Sequence, residues 1–234
     1  MTEPDLAPGA VPSPNIWHHP DVYEVENRAF DHAGSVLATL QRLGGWAGGN
    51  VLDVGCGTGF HLPLLAASAR SVVGVEPHSG LAAVARRRTR RLPSVTVLTG
   101  SATDLPLEDR SVDVVHARWA YFFGPGCEPG LAELDRVVRP GGRAFVIDND
   151  ATRSTWGAWV RRGYPTVDPD EVEEFWAARG WSRHPVATAW TFGSREDLEA
   201  VVRIELAPAL ADEVLAGHEG TVVDYAVNVF SRTF

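Results

Sequence analysis

Beyond Gly48 and Gly49, short runs rich in valine alternate with segments of helical spacing. VLDV (51–54), SVVGVE (71–76), SVTVLT (94–99), SVDVVHA (111–117) and RAFVID (143–148) read as buried strands. Between them lie GFHLPLLAASA, SGLAAVARRR and PGLAELDRVV, each long enough for a crossover helix, whereas the link from the third run to the fourth is short and turn-rich. Alternation of this kind predicts an α/β fold, a doubly wound and mostly parallel sheet with helices on both faces.

The flanks divide the rest of the chain. Residues 1–15 hold acidic residues and four prolines where a secretory signal would carry basic and then apolar residues, and predict a flexible N-terminal tail. Residues 16–47 read as a helical segment placed to act as a lid, with a break near Gly34 and a stop at Gly44 and Gly45. The main domain spans 48–234 with a helical insertion around 151–180, where Asp168 or Asp170 caps a helix ending at Gly180. A strand near 183–191, helices near 194–204 and 208–217 and a last strand near 221–231 complete it.

Composition removes several functions. The chain has no lysine, so Schiff-base chemistry, pyridoxal phosphate attachment included, has no amine to use. A formal charge of −9 argues against nucleic-acid or membrane-surface binding through the overall field, and RRRTRR (Arg86 to Arg91) reads as the solvated end of a helix. Cys56 and Cys127 make neither a metal-ligand set nor a disulfide framework, and no apolar run approaches the ~20 residues of a membrane span. A cytoplasmic protein without a metal is expected.

Gly55, Gly57 and Gly59 follow the first strand, where the strand-to-helix turn of a doubly wound sheet lines the ligand crevice. A backbone without side chains lets a ligand approach its N–H groups. The spacing is G-x-G-x-G, with Phe60 in the place of the third glycine of the dinucleotide fingerprint, which counts against an NAD-linked oxidoreductase; a P-loop needs a lysine.

VLDVGCGTG resembles the first motif of class I S-adenosylmethionine-dependent methyltransferases, and GVEP their second. GSATDLPLEDRSVDVVHA resembles the third and fourth, and LDRVVRPGGRAFVID the run into the fifth strand, so the likeness covers roughly residues 48 to 150. It implies a Rossmann-like sheet of seven strands, the last antiparallel, with S-adenosyl-L-methionine as cofactor. Gly55, Gly57 and Gly59 would then cradle the cofactor, and Glu76, ending the second strand, would accept from its ribose diol. Asp53 would meet the methionine amino group, or tie down the N–H groups of its own turn. Ser101 and Ala102 fall at the adenine position, with serine replacing the family's usual acid; Asp104 either compensates or caps the turn. Ala117 and Arg118 fall beside the amino-acid tail, Arg118 pairing with its carboxylate or with a surface acid.

The acceptor side is less defined. Pocket walls are expected from Trp17, His18, His19 and Tyr23, and from Asp148, Asp150, Trp156 and Trp159 after the fifth strand; alternatively these tryptophans dock an extra helix onto the sheet. His18, His19 and Tyr23 are the candidate catalytic groups, His18 and His19 favoured as bases because a lid would carry them, with His61 and His116 as further histidines. ARWAYFF lacks the Asn/Asp-Pro-Pro-aromatic stretch of amino-methylating nucleic-acid enzymes, and Cys127 lacks an activating neighbour. The expectation is in-line methyl transfer to a small-molecule acceptor, with neither nucleic acid nor membrane as partner. The alternative is a non-catalytic S-adenosylmethionine-binding protein with a regulatory or scaffolding role. The identity of the acceptor and the oligomeric state stay open.

Overall fold

A computed structural model describes residues 6–121 and 124–234; residues 1–5 of the expected tail lie outside the described residues. The chain opens with helices α1 (Pro14–His18), α2 (Pro20–Ala29) and α3 (Ser35–Arg42). Phe30 leaves α2 in extended backbone and Gly34 enters α3 in the left-handed region at φ 74°, while Asp31 Oδ2 accepts from Val36 N at 3.0 Å. A glycine and a side-chain cap thus make the expected break.

Then follow β1 (Asn50–Val54), α4 (Leu62–Ala66), β2 (Ser71–Glu76), α5 (Ser79–Thr89), β3 (Val95–Thr99), β4 (Val112–Arg118), α6 (Glu128–Val137) and β5 (Val138–Asn149). The chain ends with α7 (Ser154–Gly163), α8 (Pro169–Ala178), β6 (Ser182–Thr191), α9 (Arg195–Glu205), α10 (Pro208–Ala216) and β7 (Val222–Thr233). The first crossover helix is shorter than its sequence suggests, because the glycine bend continues to His61 and Leu62 N donates back to Gly59 O at 3.2 Å. Asp168, rather than Asp170, caps α8, accepting from Asp170 N at 2.9 Å.

One sheet of seven strands runs in the order β3-β2-β1-β4-β5-β7-β6, and β7 is antiparallel to both its neighbours. Strand order reverses between β1 and β4, so their carboxyl ends open a crevice. Side chains alternate across the sheet: Phe145 and Ile147 of β5 join one core layer, Ala144 and Val146 the other. Val51 and Val114 share the Phe145 layer, so the same period puts Asp53, His116 and Arg118 on that face and Ala117 on the opposite one.

The late tryptophans are core. Trp156 stacks on Tyr225 at 5.6 Å and meets Trp190 at 4.2 Å, which docks α7 on the sheet; neither Trp156 nor Trp159 lines the crevice. Among the described residues no helix is long and apolar enough to cross a membrane.

α2 packs on α9, where the buried Glu26 neighbours the half-buried Glu205 and Asn15 Nδ2 donates to Glu205 Oε1 at 2.6 Å. Burial raises both pKa values, that of Glu205 to about 7. A raised carboxyl favours the fold most below its unfolded pKa, and that advantage is lost as pH climbs through the window up to about 7. Glu205→Gln should therefore lose less Tm than the unaltered protein between pH 5 and pH 8; an equal loss in thermal melts would contradict the raised Glu205 carboxyl.

Candidate functional site

The crevice at the strand-order reversal is a cleft of about 330 Å³. Its floor is the bend after β1, where Gly55, Gly57 and Gly59 take φ of 68°, 54° and 77°, values that L side chains rarely adopt. Gly55 N and Cys56 N both donate to Val75 O, at 2.9 and 3.0 Å, so the bend is tied to β2 rather than to Asp53. A Cβ on Gly57 would stand 2.8 Å from Ile16 Cδ1, and one on Gly55 3.0 Å from Ala120 Cβ.

Gly59 has a different task and does not line the cleft. Its Cβ would meet Ala85 Cβ at 2.9 Å and Ala85 Cα at 3.1 Å, so the bare position lets α5 pack against the bend. Gly59→Ala should cost about 1–3 kcal/mol of stability from backbone strain. Denaturant unfolding checks this, and a change within about 0.5 kcal/mol, the ordinary range for surface substitutions, would contradict it.

Glu76 ends β2 facing the bend. Its Oε2 accepts from Gly57 N at 2.9 Å and its Oε1 from His78 N at 3.0 Å. The side chain is buried, and that burial pushes its pKa up to about 7 against the pull of the two N–H groups. Each oxygen keeps a further lone pair. Ser101, buried, and Ala102 line the far end of the cleft, where Ser101 Oγ and Thr103 Oγ1 are 3.1 Å apart. Asp104 is exposed and outside the cleft: it closes a turn, its N donating to Ser101 O at 3.2 Å. Ala117 also falls outside, because its strand position sends it into the opposite core layer.

Asp53 and His116 sit opposite each other in the parallel pairing of β1 and β4, and Asp53 Oδ1 lies 2.7 Å from His116 Nδ1 with both side chains buried. The pairing answers neither sequence reading of Asp53 alone, since it joins residues 63 apart through lateral register. Among the described residues Arg118 pairs with no surface acid. Its Nη2 donates to Asn27 Oδ1, its guanidinium lies 4.2 Å from the Trp119 ring and 5.3 Å from that of Phe30, and Nη1 is buried with no partner among the described residues.

The N-terminal residues cover the cleft. Gly9, Ala10 and Val11, expected in a loose tail, line it, and Ala7 N donates to Pro77 O at 3.0 Å. α1 offers Ile16 and Trp17, while His18 and His19 are exposed and outside the cleft, because neighbouring helical positions face different ways. Tyr23 does line it, but burial and Glu26 raise its hydroxyl pKa well above the ordinary value, so it keeps its proton and is no base. Glu24 of α2 accepts from Thr58 Oγ1 and pairs with Arg88 at 2.8 Å, so this member of the basic cluster clasps α2 to the glycine bend instead of facing only solvent. Cys127 lines the cleft with its thiol pushed up to about 12 by burial, which leaves no thiolate for nucleophilic attack.

A doubly wound sheet of this strand order, with a bare bend at the reversal and a carboxylate closing the next strand, defines a Rossmann-like fold. The family model described as "Methyltransferase domain" matches residues 52–146. A demethylmenaquinone methyltransferase of Clavibacter sepedonicus is 35% identical over 128 residues, 55% of this chain and 51% of that protein. An uncharacterized 37.1 kDa protein in transposon TN4556 of Streptomyces fradiae is 33% identical over 148 residues, 62% of this chain and 39% of that one. The chain thus spans about half, or less, of the length of these relatives. A SAM-dependent methyltransferase from Aquifex aeolicus shares the fold with a TM-score of 0.58 at 19% identity, over 92% of this chain and 98% of that one. The match to a methyltransferase domain thus falls on residues 52–146, the part of the chain that runs from β1 into β5.

Proposed function

We propose that the protein transfers a methyl group from S-adenosylmethionine to a small-molecule acceptor. The observation that carries this reading is the Glu76 carboxylate, turned to the glycine bend with one backbone N–H on each oxygen and a lone pair left on each. A ribose diol brings two hydroxyl donors that match those lone pairs, and Gly55 and Gly57 line the cleft there with bare backbone. These residues fit the cofactor. Glu76 would hold its ribose, Asp53 the amino group of its tail, and Ser101 with Ala102 its adenine.

When bound, the cofactor supplies a methyl carbon on positively charged sulfur, open to in-line displacement. The chain's own task is alignment and exclusion of water. Ile16, Trp17 and Trp119 furnish apolar walls for that purpose. A small acceptor is supported by the name of the Clavibacter relative and by the charge of −9, which suits no nucleic-acid partner. Two free cysteines support a cytoplasmic setting.

The test incubates the protein with methyl-labelled S-adenosylmethionine and a small-molecule extract of the host. A labelled small molecule is expected. Full cofactor affinity with no labelled product would favour the non-catalytic binding protein instead.

Cofactor affinity should also follow the Glu76 proton. Below about 7 Glu76 carries a proton and loses an accepting site; above it both oxygens accept. The affinity for S-adenosylhomocysteine should therefore rise with pH by up to about tenfold per unit and level off above about 7. Calorimetry across pH 5.5 to 8.5 reads this, with Glu76→Gln as the flat control. A flat profile in the unaltered protein would contradict the role.

A further inference from the structure

A second cavity, of about 180 Å³, lies beside the cleft on the face of the sheet that carries Asp53, His116 and Arg118. Its walls are apolar, among them Phe30, Leu40, Leu65 and Ile147. Leu64, an apolar side chain 44% exposed, belongs to the same lining and marks its opening to solvent. Asn27, Phe60, His61, His116 and Arg118 line both spaces, so a molecule in the second cavity reaches the cleft across a polar junction.

The junction is built for an oxygen nucleophile. Asp53 holds Nδ1 of His116 at 2.7 Å, and no described residue hydrogen-bonds its Nε2. A carboxylate on one ring nitrogen fixes the other as the acceptor and steadies the imidazolium once a proton arrives. His61, whose ring centroid is 5.4 Å from that of His116, is kept neutral by burial and by the Arg118 cation, so it adds no competing positive charge. Arg118 Nη1, buried and without a partner among the described residues, is a donor that only an accepting atom satisfies. Oxygen keeps lone pairs for such a donor while it reacts; an amine spends its one pair on the new bond.

We propose that the second cavity binds the acceptor, a compact phenol-type molecule whose hydroxyl reaches the junction, and that His116 is the general base that removes its proton. This deepens, and rests on, the methyl-transfer reading above. As the acceptor O–H bond breaks, the proton passes to His116 Nε2. The oxygen pair forms the bond to the methyl carbon, and the carbon–sulfur bond breaks with its electrons left on sulfur. Positive charge thus moves from sulfur to the imidazolium beside Asp53, and Arg118 Nη1 steadies the oxygen meanwhile.

The test needs no turnover. Protein saturated with S-adenosylhomocysteine is titrated with 4-nitrophenol, whose anion is yellow, at pH 7. We expect saturable one-to-one binding, with a larger phenolate fraction bound than free. His116→Asn should bind the probe and lose that increase. Leu65→Trp, which fills the cavity, and Leu64→Glu, a surface change that leaves the core untouched, should each weaken the probe at least tenfold and leave S-adenosylhomocysteine affinity unchanged. Absent probe binding, equal affinity in Leu64→Glu, or an unchanged phenolate fraction in His116→Asn would overturn the proposal. Failure of S-adenosylhomocysteine to bind the unaltered protein would instead remove the methyl-transfer reading beneath it.

Discussion

Replacing Glu76 by alanine should raise the Kd for S-adenosylhomocysteine by about 100-fold or more, the loss of two hydrogen bonds to a charged group at about 1.5–3 kcal/mol each. The carboxylate has two tasks. One is to accept from the ribose; the other is to hold Gly57 N and His78 N, at 2.9 and 3.0 Å, so that the bend stays open. Glu76→Gln separates them, since its amide oxygen still accepts one N–H while its nitrogen donates where a hydroxyl would donate. The glutamine variant should lose most of the affinity but less Tm than the alanine variant, because it keeps one of the two N–H contacts. Calorimetry with both variants reads the difference, and a Kd within threefold of the unaltered protein in Glu76→Ala would contradict the assignment.

The second large effect is on stability. Trp190 is fully buried, 4.2 Å from the Trp156 ring and 5.0 Å from that of Tyr225. It lies on β6 opposite Val223 of β7, where the last two strands and α7 close the core. Trp190→Ala leaves a cavity that rigid strands cannot collapse, and should cost about 3–5 kcal/mol. Urea unfolding should show that loss, with S-adenosylhomocysteine affinity unchanged below the transition, because Trp190 does not line the cleft. A cost under about 1 kcal/mol would mean that this aromatic layer is not the core it is described as.

What the sequence made legible was local. Valine runs gave β1 to β5 within a residue or two at most ends, except that β5 starts earlier, because an unbroken buried run has one compatible element at that length. The left-handed bend was readable because three positive-φ positions so close together favour glycine. Glu76 followed from its place at a strand end. What escaped was lateral. The contact of Asp53 with His116 depends on which residues face each other across β1 and β4, and register between distant strands leaves no mark in either run.

Direction escaped as well. His18 and His19 looked like lid bases by composition, yet a one-residue step along α1 hands the cleft to Trp17. Gly59 looked like part of the cradle and instead makes room for Ala85, a contact that belongs to α5. Arg88 looked like one cation among several at a helix end; its pairing with Glu24 at 2.8 Å required knowing that α2 folds back over the bend. Asn27, Arg118 and His116 each carry a weak signal in isolation, and only the fold brings them to one junction.

The central claim is that the bare bend and Glu76 grip an adenosyl group. A crystal structure of the protein grown with S-adenosylhomocysteine tests it most directly. Both ribose hydroxyls should lie within hydrogen-bonding distance of Glu76, with the sugar over Gly55 and Gly57. A ligand seated elsewhere, or a Glu76 side chain turned away from the sugar, would contradict the account.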